Sequence, residues 1–345
     1  MKKKFTWIRV IELAVILMAV MIFAVSVGSA DLTISDSLKI VCSRIPGIRN
    51  MIDISDMKST YETIVWQVRM PRVCMSVIVG AALAVVGACF QGVFENPLAD
   101  PYVLGVSSGA ALFATFAMLS GLSLSFLGLG TVGVFAFAGA LITVFVVYGV
   151  AKIGGKISVT NMLLIGTAIS TMLSSIISLL MIFHHDQITK VYLWTMGSFS
   201  SANWKNVLFV LIFAVIGISV IIMFAGKLNI MMMGEEDAKC LGVDTKKIRL
   251  LLVIIASMIV AACVSVSGII GFVGLIIPHS IRVIGGSDNK KVLPYSVLIG
   301  AIFMSLCDTL ARTVAAPTEI PVGVITAICG APYFVILVLS KKRKI

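Results

Sequence analysis

One short pattern in the chain has the residue types of a catalytic serine site. Residues 105–109 read GVSSG and match GxSxG, in which Ser107 would be the nucleophile and His279 a candidate base. Gly105 and Gly109 are also four residues apart, a spacing that lets two membrane helices pack closely. The same spacing recurs without any serine chemistry, at Gly80 and Ala84, Gly166 and Ser170, and Gly323 and Ala327, which favours helix packing. An intramembrane serine hydrolase that uses Ser107 stays open as the weaker alternative.

The glycine-rich segments do not predict a nucleotide site. Residues 128–133 read GLGTVG, but no strand pattern precedes them, and no acidic residue occurs between Asp100 and Asp186 to bind a ribose. No GxxxxGK[ST] pattern occurs, because the nearest glycine-lysine pairs lack the hydroxyl residue that would ligate magnesium. We therefore predict that the chain is not an enzyme and needs no cofactor. Any ATP hydrolysis has to take place on another chain.

Charged residues are sparse within the apolar runs. The main candidates are Asp308 and Arg312, four residues apart near the outer end of a predicted span. An ion-coupled secondary transporter usually has carboxylates inside its spans, so this class stays open. A helix-end ion pair explains the two residues equally well. The seven cysteines form no CxxC pattern and no Cys/His cluster, so no metal site is predicted.

The composition places these residues in a membrane. Of the 345 residues 59% are hydrophobic and 12% charged, and the mean hydropathy is +1.09, which excludes a solvated globular surface. We predict an all-α, polytopic membrane protein with one transmembrane domain over residues 1–345 and about ten helical spans. The apolar runs lie near residues 10–30, 73–91, 103–121, 131–151, 161–183, 206–225, 250–268, 270–284, 292–311 and 320–340.

The positions of lysine and arginine predict the orientation. With both termini inside, most of the 27 Lys and Arg residues lie on the cytoplasmic side, including the clusters at residues 2–4 and 341–344. We therefore predict cytoplasmic N and C termini. A cleaved signal peptide is the alternative for the first run, but a retained span makes the number of spans even. The net charge of +11 reflects this topology in the lipid bilayer, and nothing else suggests nucleic-acid binding.

A polar segment with two prolines separates two strongly apolar runs. Residues 91–110 read QGVFENPLADPYVLGVSSGA, in which Asn96 and Asp100 precede Pro97 and Pro101. Each proline removes a backbone donor and disfavours helix at the residue before it. In lipid, the freed backbone groups need protein or water as partners. The segment is predicted to be either an ordinary loop or a structured loop at a gate or docking surface.

The largest cytoplasmic loop spans residues 226–247. Within it, residues 234–242 read GEEDAKCLG, where acidic side chains suit the start of a helix and Gly242 suits its end. We predict a short helix on the inner face. The alternative is a solvated acidic loop.

Six segments together resemble one family. The chain resembles the ten-helix permeases of type II ATP-binding-cassette importers for ferric siderophores, haem and cobalamin, in order and over nearly its whole length. The segments are RMPR at 69–72, the loop at 91–110, LWTMGSFSSANW at 193–204, GEEDAKCLG at 234–242, SGIIGFVGLIIPHSIR at 267–282 and PVGVITAICGAPYF at 321–334.

This resemblance implies an assembly in the cytoplasmic membrane. The chain would pair with a second copy or a sister permease, bind cytoplasmic ABC ATPase subunits, and receive its ligand from an extracytoplasmic substrate-binding protein. Ferric siderophore, haem and corrinoid all stay open as substrates. Glu95 is as found in cobalamin permeases, whereas iron chelates are favoured by their number in the family.

The resemblance also implies roles for individual residues. Spans five and ten, at 161–183 and 320–339, would line the path between the two permeases. The residues that would dock the binding protein are Arg69, Arg72 and Arg312. The residues that would form the cytoplasmic gate are Asn96 and Leu98, with a looser match at Ser158 and Thr160. The residues that would couple to the ATPase are Gly234, Glu235, Glu236, Asp237, Ala238, Leu241 and Gly242.

Overall fold

The computed structural model describes residues 7–28, 32–44, 57–153 and 159–342, which form a bundle of helices. The α-helices are α1 (Trp7–Ser26), α2 (Ile34–Ser43), α3 (Ser59–Thr63), α4 (Met70–Val93), α5 (Val106–Ser120), α6 (Thr131–Lys152), α7 (Val159–Phe183), α8 (Ile188–Thr195), α9 (Trp204–Met223), α10 (Ala225–Met231), α11 (Glu235–Cys240), α12 (Thr245–Ser267), α13 (Val273–Gly285), α14 (Asn289–Thr313) and α15 (Val322–Lys342). A π-helical turn, Ile64–Arg69, joins α3 to α4, and 3-10 helices form at Pro101–Leu104 and His185–Gln187. Strands β1 (Ser125–Phe126) and β2 (Leu129–Gly130) form an antiparallel hairpin between α5 and α6.

Among the described residues, seven helices are long and apolar enough to cross a membrane. They are α1, the continuous helix Ser59–Val93, α6, α7, α9, α12 and α14, and three shorter apolar helices accompany them in α5, α13 and α15. Together they coincide with the ten apolar runs of the sequence. The all-α, multi-spanning fold is therefore confirmed. The eighth of these runs, 270–284, forms the short helix α13, which continues through Pro278 without a break.

Helix α4 lies at the centre of the bundle. Residues 79–93 are all buried, and the helix packs against α9, α12, α13 and α14. A side chain at Gly87 would overlap the backbone of Gly274 in α13, and one at Gly80 would overlap the backbone of Gly300 in α14. Small residues at these crossings bring the backbones together. In lipid such van der Waals contact holds helices to each other, because the hydrophobic effect between them is weak.

The Gly87 contact can be tested by measuring the stability of the protein. We expect Gly87→Ala to destabilise the purified protein by about 1–3 kcal/mol, because the new methyl group meets backbone that cannot rotate away. Thermal unfolding in detergent measures the effect as a lower midpoint. The matched control is Gly149→Ala in α6, where nothing lies within 4 Å of an added side chain and the midpoint should stay or rise slightly. Equal midpoints for the two variants would contradict the close crossing.

Candidate functional site

The loop between α4 and α5 is ordered by its own polar groups. The Asn96 side chain accepts a hydrogen bond from the Leu98 amide (2.9 Å), and Asp100 accepts one from the Tyr102 amide (2.8 Å). The Tyr102 hydroxyl donates to the carbonyl of Ile270, between α12 and α13 (2.5 Å). Burial raises the pKa of Asp100 to about 6, although the Tyr102 amide offsets part of that rise. The segment is a structured loop, the second of the two forms predicted from the sequence.

The predicted gate residues lie on the loop before the 3-10 helix Pro101–Leu104 and in the first turn of α7. Leu98 is 48% exposed, Asn96 is half-buried, and Thr160 is exposed in the first turn of α7. The 3-10 helix that follows the loop packs against α7, where Gly166 lies against the carbonyl of Val103. Ser158 falls outside the described residues.

Helix α7 exposes a stripe of hydroxyl groups that was not predicted from the sequence. Thr167, Thr171, Ser175 and Ser178 follow one another at helical spacing, and all are exposed. Each donates to a carbonyl of its own helix, at 2.8–3.1 Å. The helix carries no charged residue. The stripe is neutral, its donors are already satisfied, and it lies among exposed apolar side chains such as Leu164 and Met172. Hydroxyl residues three or four positions apart were the signal that could have revealed it.

Helices α7 and α15 have different packing partners among the described residues. Helix α7 packs against α5, α6 and the 3-10 helix Pro101–Leu104, whereas α15 packs against α13 and α14. Each also has large apolar side chains in the open, including Leu164 on α7 and Ile328 on α15. Both faces are uncovered in the single chain.

The predicted docking arginines are buried, and their partners lie within the chain. Arg72 forms ion pairs with Asp308 (3.0 Å) and Glu319 (2.8 Å), and Arg312 pairs with Asp308 (3.3 Å). The helix-end ion pair proposed for Asp308 and Arg312 is confirmed, and Arg72 is a third member. Of these side chains only that of Glu319 is well exposed, at 44%.

Two of the arginines also hold the outer end of α1. Arg69 donates to the carbonyls of Val25 (3.1 Å) and Ser26 (2.8 Å). Arg312 donates to those of Ala24 (2.9 Å) and Val27 (3.2 Å). The last turn of a helix leaves its carbonyls without intrahelical partners, and guanidinium groups satisfy them well. These arginines therefore fasten α1 to α14 and to the helix that contains α4.

The catalytic and ion-coupled alternatives gain no support from the geometry. The Ser107 hydroxyl is buried without a hydrogen-bond partner among the described residues, so no base activates it. Gly109 lies against Gly139 and Thr143, which confirms that this glycine spacing packs α5 on α6. Asp308 is engaged by two arginines. In the described part of the chain, no group of three or more His, Cys, Asp or Glu residues could hold a metal ion.

The inner loop contains the predicted short helix, α11. Lys239 pairs with Glu235 (2.8 Å), and this hydrogen bond lowers the pKa of Glu235. Ala238 is fully buried, whereas Leu241 is 58% exposed, so the two do not form one apolar face. Gly242 ends the segment with a left-handed φ of +77°. Glu236 and Asp237 are exposed beside Leu241.

A polar network joins this inner surface to the core. Asn229 in α10 donates to Asp288 (2.7 Å) and accepts from the amide of Asn289 (2.7 Å). Arg282 in α13 donates to Asn289 (3.0 Å) and to the carbonyl of Ala88 in α4 (3.2 Å). Helices α10, α13, α14 and α4 are thus linked between the α11 segment and the loop that carries Asn96. Its members are far apart in the sequence, so no local pattern could have revealed it.

Comparisons with known proteins agree with this architecture. The chain is 42% identical to the cobalamin import system permease protein of Halobacterium salinarum over 283 residues, covering 82% of this chain and 75% of that protein. It is 38% identical to the Fe(3+)-citrate import system permease protein YfmD of Bacillus subtilis over 321 residues, covering 92% of this chain and 90% of the relative.

A solved structure is also similar. It is described as an inward-facing conformation of a metal-chelate type ABC transporter, and it matches with a TM-score of 0.80 and 30% identity, covering 96% of this chain and 98% of the other. Residues 16–340 match the profile of the FecCD transport family. The chain belongs to the FecCD transport family.

Proposed function

We propose that this chain is the membrane subunit of an ATP-binding-cassette importer that carries a metal chelate inward. The proposed cargo is an iron chelate, namely a ferric siderophore or haem, or a corrinoid. The observation that carries the proposal is the family match over residues 16–340, together with the uncharged hydroxyl face of α7. The chain is a multi-pass protein of the cytoplasmic membrane, and ATP hydrolysis would be supplied by a separate subunit.

The path for the cargo would lie between two permeases. Small hydroxyl residues are enriched where membrane helices meet, so the stripe on α7 suits a face turned toward a second permease. In a dimer with a second copy or a sister permease, α7 and α15 would face a shared passage. Donors that are satisfied by their own helix bind a passing chelate weakly, which favours release over retention.

The inner end of that passage would be closed by the loop that contains Asn96 and Leu98, with Thr160 opposite. Leu98 offers an exposed apolar side chain on a loop whose backbone is fixed by Asn96 and Asp100. A rigid loop with one exposed apolar residue suits a gate, because it moves as a unit. Ser158 is proposed for the same gate on the family resemblance alone.

Coupling would begin at the loop 226–247. A permease without a nucleotide motif responds to ATP only if the ATPase binds two arrangements of it with different affinity. Residues 234–242 offer the exposed side chain of Leu241 together with exposed Glu236 and Asp237, and buried Ala238 anchors the segment to the permease. The Asn229 network would then pass the displacement to α13, α14 and α4.

The coupling proposal predicts that Leu241→Glu lowers permease-dependent ATPase activity or loses the ATPase on purification. The new charge would be desolvated at the interface, at a cost of about 1–3 kcal/mol and therefore roughly five- to hundredfold in affinity. Copurification and ATP turnover in proteoliposomes measure it. Leu241→Met is the matched control and should behave as wild type. Normal transport by Leu241→Glu with the ATPase retained would move the coupling role elsewhere.

A binding protein would dock on the network of Arg69, Arg72 and Arg312 by replacing one of the partners that these arginines already have. The arginines already have partners, so an incoming carboxylate has to replace one, and exposed Glu319 on Arg72 is the partner most easily displaced. Arg69 and Arg312 would keep the outer ends of the helices in place while this happens.

If docking has to displace Glu319 from Arg72, Glu319→Gln should raise the affinity of the permease for its substrate-binding protein by about threefold or more at low salt. The substitution removes the carboxylate that competes for Arg72. Surface binding measurements over a salt series would show the change. Glu62→Gln is the matched control, since Glu62 also pairs with an arginine, Arg44, and loses the same charge. If both variants bind equally, or if Glu319→Gln binds more weakly, direct docking on Arg72 is contradicted.

The substrate class is tested with the binding protein that stimulates this permease. Ferric siderophore, ferric citrate, haem or cobalamin should raise its melting temperature, because a ligand at a hundredfold its Kd stabilises the folded state by about 2.7 kcal/mol. The same compound should be taken up by proteoliposomes that contain the complete transporter and ATP. Uptake of a sugar, an amino acid or a polyamine would refute the metal-chelate class.

A further inference from the structure

An apolar groove runs along the inner halves of α6 and α12. Its cavity measures about 380 Å³, and apart from Ser257 and the hydroxyl of Tyr148 its lining is apolar. Phe145 on α6 and Met258 on α12 are exposed along its margin. The outer ends of the same helices come close at one point, where Gly133 lies against the carbonyl of Ser265. The lining of the groove itself lies on the inner halves of the two helices.

The cytoplasmic end of the groove is basic. A second cavity of about 280 Å³ shares Tyr148, Leu250 and Val253 with the first, so the two are continuous. The cationic side chains that line it come from both helices, Lys152 at the end of α6 and Lys246, Lys247 and Arg249 at the start of α12. Four cations converge on one end of an otherwise apolar space.

Arg249 has a buried nitrogen without a hydrogen-bond partner. Its residue is only 8% exposed, and its Nε atom forms no hydrogen bond to any described residue. Lys152, Lys246 and Arg249 form no ion pair within 4.0 Å in the described chain, whereas Lys247 pairs with Asp244 at 3.2 Å. A buried polar nitrogen gains from an acceptor nearby. Arg72 and Arg312 each have a carboxylate within 4.0 Å, and Arg249 has none among the described residues.

The length of the groove matches the thickness of one leaflet of the bilayer. Arg249 and Met258 are nine residues apart on α12, which is roughly 13 Å at 1.5 Å per residue. This is close to half of a hydrocarbon core of about 30 Å. A ligand with an anionic head at Arg249 and a long apolar tail toward Met258 would fill both parts. Basic pockets between membrane helices on the cytoplasmic side bind anionic lipid headgroups.

We propose that the α6–α12 groove is a binding site for an anionic phospholipid of the inner leaflet, with its phosphate on Lys152, Lys246 and Arg249 and an acyl chain along Tyr148, Leu250 and Met258. The site lies close to α11, because Lys246 and Arg249 both act electrostatically on Glu235. The bound lipid therefore neutralises cations beside the segment proposed for coupling. The site does not depend on which chelate is carried.

The first test measures lipid affinity of the full-length permease by native mass spectrometry in detergent. Dioleoyl phosphatidylglycerol should bind at least about tenfold more tightly than dioleoyl phosphatidylcholine. Lys152→Gln/Lys246→Gln should reduce phosphatidylglycerol affinity by about tenfold or more, since each basic group near the surface contributes about fivefold. The matched control is Lys227→Gln/Lys290→Gln, two exposed inner-face lysines beside a different cavity. It should retain wild-type affinity.

Equal affinity for both lipids, or an equal loss in both double variants, would overturn the site in favour of unspecific contact. Glycerol 3-phosphate is the probe for a free anion. If it competes as well as the intact lipid, the acyl-chain part of the proposal is refuted.

The second test needs no substitution. Phosphatidylglycerol with a photoactivatable group in its acyl chain is incorporated into nanodiscs with the assembled permease and ATPase, and cross-linked peptides are mapped. Cross-links concentrated on residues 141–148 and 250–258 support the groove. Cross-links spread evenly over the lipid-facing side of α9 refute it. Cross-linking that is lost only when the ATPase is bound would assign this face to the ATPase and overturn the lipid site.

Discussion

The close contact of α4 with α13 and α14 is the interaction on which the rest of the structure depends. In a bilayer the lipid tails are as apolar as the side chains, so helices are held by dispersion contacts between well-fitted surfaces. Glycines at Gly87 and Gly274, and at Gly80 and Gly300, remove the side chains that would separate the backbones. Outside this buried centre, α7 and α15 each have exposed side chains among the described residues.

Charge is used differently at the two ends of this bundle. At the outer end, Arg72 and Arg312 enclose Asp308, and Arg69 and Arg312 satisfy the last carbonyls of α1. Buried cations there are matched within the chain, so the outer end is a closed structural unit. At the inner end, the buried Nε atom of Arg249 has no hydrogen-bond partner among the described residues, and Lys152 and Lys246 line the same cavity. An external anion should therefore bind more favourably at the inner end than at the outer end.

The inner end also contains the elements best placed to move together. The ordered loop with Asn96 follows α4 directly, and the Asn229 network ties α4 to α10, α13 and α14. Under the coupling proposal, a displacement of the segment around α11 would pass through α10 and this network to α4, which the loop follows. The proposed gate and the proposed coupling surface are thus parts of one connected layer, and the lipid groove borders it.

The sequence by itself determined the class of the protein, the apolar runs and the places where they end. Hydropathy and proline or glycine signals are local, so they survive without knowledge of the fold. The short inner helix and the structured loop were predictable for the same reason. Even the Asp308 and Arg312 pair was visible, because a spacing of four residues puts side chains on one face of a helix.

Only the tertiary structure decided which charged side chains are exposed and which are already paired within the chain. Arg72 and Asp308 are 236 residues apart, and Arg312 and Ala24 are 288 apart. No local sequence pattern reveals such pairs. The three arginines that were expected to dock the binding protein have buried side chains, and these side chains already have partners within the chain. The same holds for Ala238, whose burial depends on what lies beneath it, and for the groove between α6 and α12. Burial and pairing are properties of the assembled bundle, because they depend on which distant segments the packing of α4 brings together.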